Sequence, residues 1–234
     1  MDDTAALVST APRPTSARPL LGVTVLLVED SRFASESMRL LCLRSGARLR
    51  RADCIAAAHR HLRMYCPTVA IIDLGLPDGA GEDLIAELAA AQPRLPVILG
   101  FSGDLSGEPC AIAAGADGFL AKPLTRLAEF QAAVLAHLPP ESHPAGPRIV
   151  PDTEVSPDLI ALQDDFAHVN DLLSDPDDPI QRAYSAQFLH GLAIASQDVP
   201  LAEAARSLAD RGDRSSLSLV RALLADRLAN RVAI

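Results

Sequence analysis

The residues Val69-Ala70-Ile71-Ile72-Asp73-Leu74-Gly75-Leu76-Pro77-Asp78-Gly79 open with four apolar side chains in unbroken succession, stop at an acid and then turn through glycine and proline. A segment that is apolar at every position, rather than at every second one, suits a strand buried on both faces, and such strands occur in parallel sheets covered by helices. On either side the same kind of run recurs. Upstream lie Val23 to Val28 and a weaker, arginine-rich run around Arg48 to Ala52; downstream lie Val97 to Gly100 and Gly118 to Ala121. Between them, segments of helical period fall at about 31–45, 54–64, 81–91, 108–115 and 124–138, several closed by Gly or Pro. The expected fold class is α/β: a doubly wound, five-stranded parallel sheet of the flavodoxin-like kind, with the arginine-rich second strand at an edge.

The flanks differ in kind. Residues 1–21 carry acids and then Pro12, Pro14 and Pro19, without the basic-then-apolar order of a secretory signal, and read as a flexible leader. Residues 139–156 are proline-rich and hold little that could form a core, which marks a linker after an α/β domain at 22–138. Beyond it, Ser156 before Pro157 and Asp178 before Pro179 resemble helix caps with proline in the first turn. Leu159, Leu162, Phe166, Val169 and Leu173 step by three and four, as do Ile180, Tyr184, Phe188, Leu192 and Ala195. Two more helices are expected at about 200–211 and 215–231, with Gly212 between them, so that 157–234 forms a small all-α domain.

Composition narrows the function. The longest apolar run, Leu20 to Val28, is too short to span a bilayer, so a cytoplasmic protein without membrane association is expected. Cys42, Cys54, Cys66 and Cys110 lack metal-type spacing and read as reduced thiols. The net charge of −9 is carried mostly by the linker and the first two tail helices; only the segment from residue 199 onward is basic on balance.

Ligands of doubly wound sheets collect where strands end and strand order reverses. The first strand ends in Glu29 and Asp30, the third in Asp73, the fourth in Ser102, and the fifth runs into Lys122. Three carboxylates on one rim repel one another unless a cation sits among them. A hard ion such as Mg²⁺ takes oxygen ligands and keeps waters that an incoming phosphate can replace. The Asp73 carboxylate could then attack a phosphoryl group in line, forming an acyl phosphate. Lys122 is the chain's one lysine among 21 basic side chains, as a compact point charge at this place would require.

The order Val-Glu-Asp at 28–30, Asp-Leu-Gly-Leu-Pro-Asp-Gly at 73–79, Gly-Phe-Ser-Gly at 100–103 and Ala-Lys-Pro at 121–123 resembles bacterial response-regulator receiver domains. The resemblance implies that Glu29, Asp30, Asp73 and the backbone carbonyl of Gly75 hold Mg²⁺, and that Asp73 accepts a phosphoryl group from a histidine kinase or phosphotransfer protein. It further implies that Ser102 and Lys122 contact that group and that Phe119 is the switch aromatic. Such a chain is a signalling switch rather than a metabolic enzyme. Two departures stand out: Gly75 has no side chain with which to orient or obstruct an attacking water, and the segment from Ser102 to Phe119 is short enough to make the fourth helix brief or irregular.

For the tail, the expected role is self-association or binding of a protein partner, governed by phosphorylation. An alternative makes Leu201 to Arg231, with six arginines, a helix-turn-helix-like DNA reader. A third makes His190 a phosphotransfer site. Phosphotransfer helices typically follow their histidine with a basic residue and glycine a turn later, whereas Gly191 follows His190 directly. The His59/His61 pair faces different ways on a helix and does not suit a metal.

Overall fold

The computed structural model describes residues 13–146, 152–174 and 178–229. Most of the expected leader, the middle of the proline-rich segment, residues 175–177 and residues 230–234, with Arg231 of the expected DNA-reading segment, lie outside the described residues. In chain order the elements are β1 (Thr24–Val28), α1 (Arg32–Ser45), β2 (Arg48–Ala52), α2 (Ile55–Met64), β3 (Val69–Asp73), β4 (Gly75–Leu76), β5 (Gly79–Ala80), α3 (Gly81–Ala90), β6 (Val97–Ser102), α4 (Glu108–Ala114), β7 (Gly118–Ala121) and α5 (Leu127–His137). Then follow α6 (Leu159–Leu172), α7 (Pro179–Ala195), α8 (Val199–Arg211) and α9 (Arg214–Ala229).

Five strands form one parallel sheet in the order β2-β1-β3-β6-β7. The arginine-rich β2 is an edge, and β3, apolar at four successive positions, is central. Alternate residues of each strand feed two cores: Val25, Leu27, Ile71 and Leu99 join Leu41, Phe130 and Val134 on one face, while Leu26, Val28, Ile72 and Ile98 join Leu84 and Ile85 on the other. This is why both parities of those strands are apolar. From β1 the chain moves out to β2 and returns across to β3, which places the reversal of strand order between Val28 and Ile72, immediately below Asp30 and Asp73.

Two local features tighten the loop after β3. Residues 75–80 fold back as the small antiparallel pair β4 and β5, which periodicity does not reveal in so short a segment. At the start of α3, a Cβ on Gly81 would lie 2.0 Å from the Asp73 carbonyl oxygen, so only glycine lets the helix begin against the strand end. The fourth helix is indeed brief: α4 has 7 residues and follows a 3₁₀ turn at Leu105–Gly107.

Helices α6 to α9 bundle around Phe166, Val169, Leu189, Leu192, Leu201, Leu208, Val220 and Leu224, and Phe33 of α1 inserts into this same core. The cap of α6 is Asp158, which accepts from the Ile160 amide at 2.9 Å, rather than Ser156. Asp178 caps α7 as expected. Leu159 and Ile180, the first members of their stripes, are 55% and 81% exposed, because both sit in a first turn beyond the packed layers. Residues 152–155 lie back along the α/β domain: Leu127 donates to the Thr153 carbonyl, Val155 donates to that of Thr125, and the Val155 side chain is buried in the sheet-side core. Among the described residues no helix is long and apolar enough to cross a membrane.

Candidate functional site

The strand ends deliver the acids as chain order requires. Glu29 and Asp30 follow β1, and Asp73 closes β3. One oxygen from each of the three lies within 4.8 Å of the others. Lys122, just past β7, reaches in from the far edge, its Nζ 2.6 Å from Glu29 Oε2 and 3.0 Å from Asp73 Oδ1. Its ammonium also lies 4.7 Å from the centre of the Phe101 ring, an aromatic wall that excludes water from one side. Glu29 is fixed further by the Ser31 amide, which donates to its second oxygen at 3.0 Å.

Burial decides the charge states. Withdrawal from water pushes the Asp73 carboxyl up to about 7; the Lys122 ammonium opposes this and the Glu29 carboxylate adds to it. Asp30 is raised well above the usual carboxylate range, first by burial and then by repulsion from Glu29 and Asp73. Burial alone would lower the Lys122 ammonium, but Asp73 and Glu29 together hold it firmly protonated. One buried cation therefore faces the buried Glu29 and Asp73 and the half-buried Asp30, and the set is short of positive charge.

Ser102 and Gly75 line the same cavity, of about 580 Å³, as the acids and Lys122. The Ser102 hydroxyl accepts from the Asp104 amide at 3.1 Å. Phe119 is half-buried outside this cavity, packed on the core around Leu84 and Ile85, with its ring 3.2 Å from where a Cβ on Gly100 would stand. The structure thus brings Glu29, Asp30, Asp73, Gly75, Ser102 and Lys122 together and leaves Phe119 outside their cavity. Elsewhere, His59 pairs with Glu87, while His61 meets the Arg51 carbonyl and Tyr65.

The other wall of the cavity comes from the helical bundle, and reading the sequence does not anticipate it. Helix α7 lies across the ends of β1, β3 and β6. Tyr184 donates its hydroxyl to Asp30 Oδ2 at 2.5 Å. Gln187 lies over Gly75, and Gly191 lies beside Gly103, where a Cβ would stand 3.5 Å from the Gly191 Cα. These positions step by three and four along one face of α7. One helical turn rises about 5.4 Å and neighbouring strands are about 4.8 Å apart, so successive turns can meet successive strands. Docking is secured from α6: Asp165, 3% exposed, accepts from the Ser31 hydroxyl at 2.8 Å and from the Arg32 and Phe33 amides at 3.1 and 3.0 Å. Those amides belong to the first turn of α1, which has no partners within its own helix and favours a carboxylate. Burial raises the Asp165 carboxyl above its ordinary value while these hydrogen bonds pull it down. His190 lines the cavity as well, with Nδ1 on the Ala202 carbonyl at 3.1 Å and Nε2 within 3.3 Å of Arg206.

A doubly wound sheet with this ordered set of acids, hydroxyl and lysine at its switch point is the architecture of a receiver. Residues 25–134 match the family model of the response regulator receiver domain, and this part of the chain belongs to that family. The KDP operon transcriptional regulatory protein KdpE of Escherichia coli K12 is 30% identical over 138 residues, covering 58% of this chain and 61% of KdpE. The transcriptional regulatory protein TcrX of Mycobacterium tuberculosis is 31% identical over 104 residues, 44% of each chain. The chain thus spans about half the length of the curated relatives it matches. A solved response regulator from Chloroflexus aurantiacus is 29% identical with a TM-score of 0.46, covering 49% of this chain and 95% of that one. The helical bundle begins beyond the matched receiver segment.

Proposed function

We propose that this chain is a phosphorylation-switched response regulator in which Asp73 takes a phosphoryl group from a histidine kinase or phosphotransfer protein and thereby governs the helical domain docked over it. The observation that carries this reading is the buried cluster in which Lys122 lies 3.0 Å from Asp73 while Glu29 and Asp30 stand alongside. Asp73 lines the cavity together with Glu29 and Asp30 and lies against the Lys122 ammonium, and its attack on phosphorus displaces the donor's leaving group in line. Lys122, released in part from Glu29, meets the phosphoryl oxygens, and Ser102 can donate to another of them.

The acids suit a divalent cation. Asp30 Oδ1 is buried and has no hydrogen-bond partner among the described residues, and the cluster lacks positive charge. Glu29, Asp30, Asp73 and the Gly75 carbonyl would hold Mg²⁺, which would neutralise charge on the phosphoryl oxygens. The orphaned oxygen is not the one that accepts from Tyr184, so a docked bundle leaves a ligand position open. Phosphorylation adds charge beneath α7 and shifts the balance between docked and released bundle, exposing a surface for self-association or a protein partner.

Asp73→Asn is expected to abolish labelling by a small phosphodonor with Mg²⁺, and full labelling of that variant would refute the site. Light scattering with and without beryllofluoride reads the output: a changed mass supports gated self-association, and an unchanged mass with ligand bound moves the output to a separate partner. The names of KdpE and TcrX favour a second reading, transcriptional regulation through α8 and α9. It requires salt-sensitive binding to duplex DNA, and absence of any shift at low salt would end it.

A further inference from the structure

Gly75 leaves the flank of Asp73 without a side chain of its own, yet that flank is filled. The Gln187 amide occupies it so closely that a Cβ on Gly75 would lie 2.5 Å from Gln187 Nε2 and 2.9 Å from its Cδ. Gln187 comes from the bundle, on the one face of α7 that also carries the Tyr184 contact to Asp30 and the Gly191 contact to Gly103. Its placement therefore follows from how the bundle docks. The cavity between Asp73 and α7, about 580 Å³, has room for a phosphoryl group and water.

We infer that Gln187 is a water-positioning residue that hastens loss of the phosphoryl group from Asp73, making the docked bundle a built-in dephosphorylating element. The inference rests on the reading of Asp73 as phosphoacceptor. In hydrolysis, a water oxygen bonds to phosphorus opposite the Asp73 oxygen. The bond from that oxygen to phosphorus breaks, with its electron pair returning to the carboxylate, and the water's proton leaves on inorganic phosphate. No oxidant or second substrate is needed. Attack opposite Asp73 comes from the cavity side, where α7 lies. A primary amide suits the task because its carbonyl accepts from the water while its N–H₂ donates to a phosphoryl oxygen, a use of glutamine known from nucleotide hydrolysis. An amide also cannot take the phosphoryl group itself. The phosphotransfer pattern of a nucleophile followed by a basic residue and glycine a turn later is met at Gln187, His190 and Gly191, with glutamine in the histidine's place.

The test is the first-order decay of the labelled full-length chain, with Mg²⁺, after removal of a small phosphodonor. Gln187→Ala is expected to slow decay about tenfold, the scale of one lost hydrogen bond to a reacting group. Docking is followed in parallel by hydrogen exchange at the Arg32 and Phe33 amides, which Asp165 protects only while the bundle is in place. Adding Gly75→Asn to Gln187→Ala returns an amide to the same space from the receiver side and is expected to recover fast decay, an effect that a merely structural role for Gln187 does not produce. Equal decay in wild type and Gln187→Ala, with those amides equally protected, overturns the inference, as does slow decay in the double variant with the bundle still docked. A wild-type chain that takes no label instead overturns the phosphoacceptor reading.

Discussion

The two walls of the cavity are held by different interactions. The receiver wall is a nearly dry charge cluster: Lys122, 6% exposed at its side chain, bridges Glu29 at 0% and Asp73 at 10%. The bundle wall is held by one buried carboxylate, one phenol and an apolar contact through Phe33. A buried ion cluster tolerates loss of a partner poorly, because the remaining charges stay behind without water, whereas a docked wall can separate and be hydrated. The first arrangement suits fixed chemistry and the second suits a movable cover.

The largest effect is therefore expected at Lys122. Lys122→Ala leaves Glu29 and Asp73 buried without a cation and should cost about 3–5 kcal/mol in urea unfolding near pH 8 without metal. The loss should be smaller at pH 5.5, where Asp73, already held near 7, carries a proton. Mg²⁺ at pH 8 should recover part of it. A loss independent of both pH and Mg²⁺ would show that the lysine's stem, and not its charge, matters there.

Next in size is the bundle wall. Asp165→Ala removes the acceptor of three hydrogen bonds at the start of α1 and should cost about 2–4 kcal/mol of docking. Exchange at the Arg32 and Phe33 amides should rise while amides within β1 and β3 stay protected. Asp165→Asn keeps one acceptor oxygen, carries no charge to bury, and should lose less. Equal exchange throughout the receiver in Asp165→Ala would mean that the two walls unfold as one unit.

Much of the receiver wall is legible in the sequence, and the reason is topological. In a parallel sheet, strand ends meet on one rim, so an acid placed directly after an apolar run is placed in space as well. Glu29, Asp30, Asp73, Ser102 and Lys122 follow from that rule. Asp165, Tyr184 and Gln187 do not. Tyr184 is one member of an otherwise apolar stripe on α7, Asp165 is one acid of many in an acidic segment, and Gln187 is marked only by His190 and Gly191 a turn later, a spacing that names no strand end for it to meet. Periodicity indicates which face of a helix is apolar, but not which partner that face meets or from which turn a polar group reaches a distant strand end. Gly75 is a further clue, since a missing side chain beside Asp73 marks a space that another segment could fill.

A smaller effect is expected from metal. Asp73 has a carboxyl value raised to about 7 from an ordinary 3.8, so the folded chain binds this proton more tightly than the unfolded chain does. From this group alone, stability without metal falls as pH rises from about 4 to about 7, and the deficit is complete above that. Mg²⁺ binds the ionised form and should raise the melting temperature more at pH 8 than at pH 5.5, where it must displace a proton. An equal rise at both values would mean that Asp73 takes no part in holding the ion.

The smallest effect separates two adjacent acids of α6. Asp165 is buried on the start of α1, whereas Asp164 meets Arg32 at 2.7 Å with the two side chains 48% and 62% exposed. An exposed ion pair gains little from charge attraction in water and loses side-chain freedom, so a double-mutant cycle of Arg32→Ala and Asp164→Ala should give a coupling of about 0.5 kcal/mol or less. Half-molar salt should weaken even that, because exposed charges are screened by ions from solution. If the cycle instead gave more than about 2 kcal/mol, insensitive to salt, the edge of the docked interface would be as dry as its centre. The bundle would then be a fixed part of the receiver, and the proposed phosphorylation of Asp73 would have to act through it without releasing it.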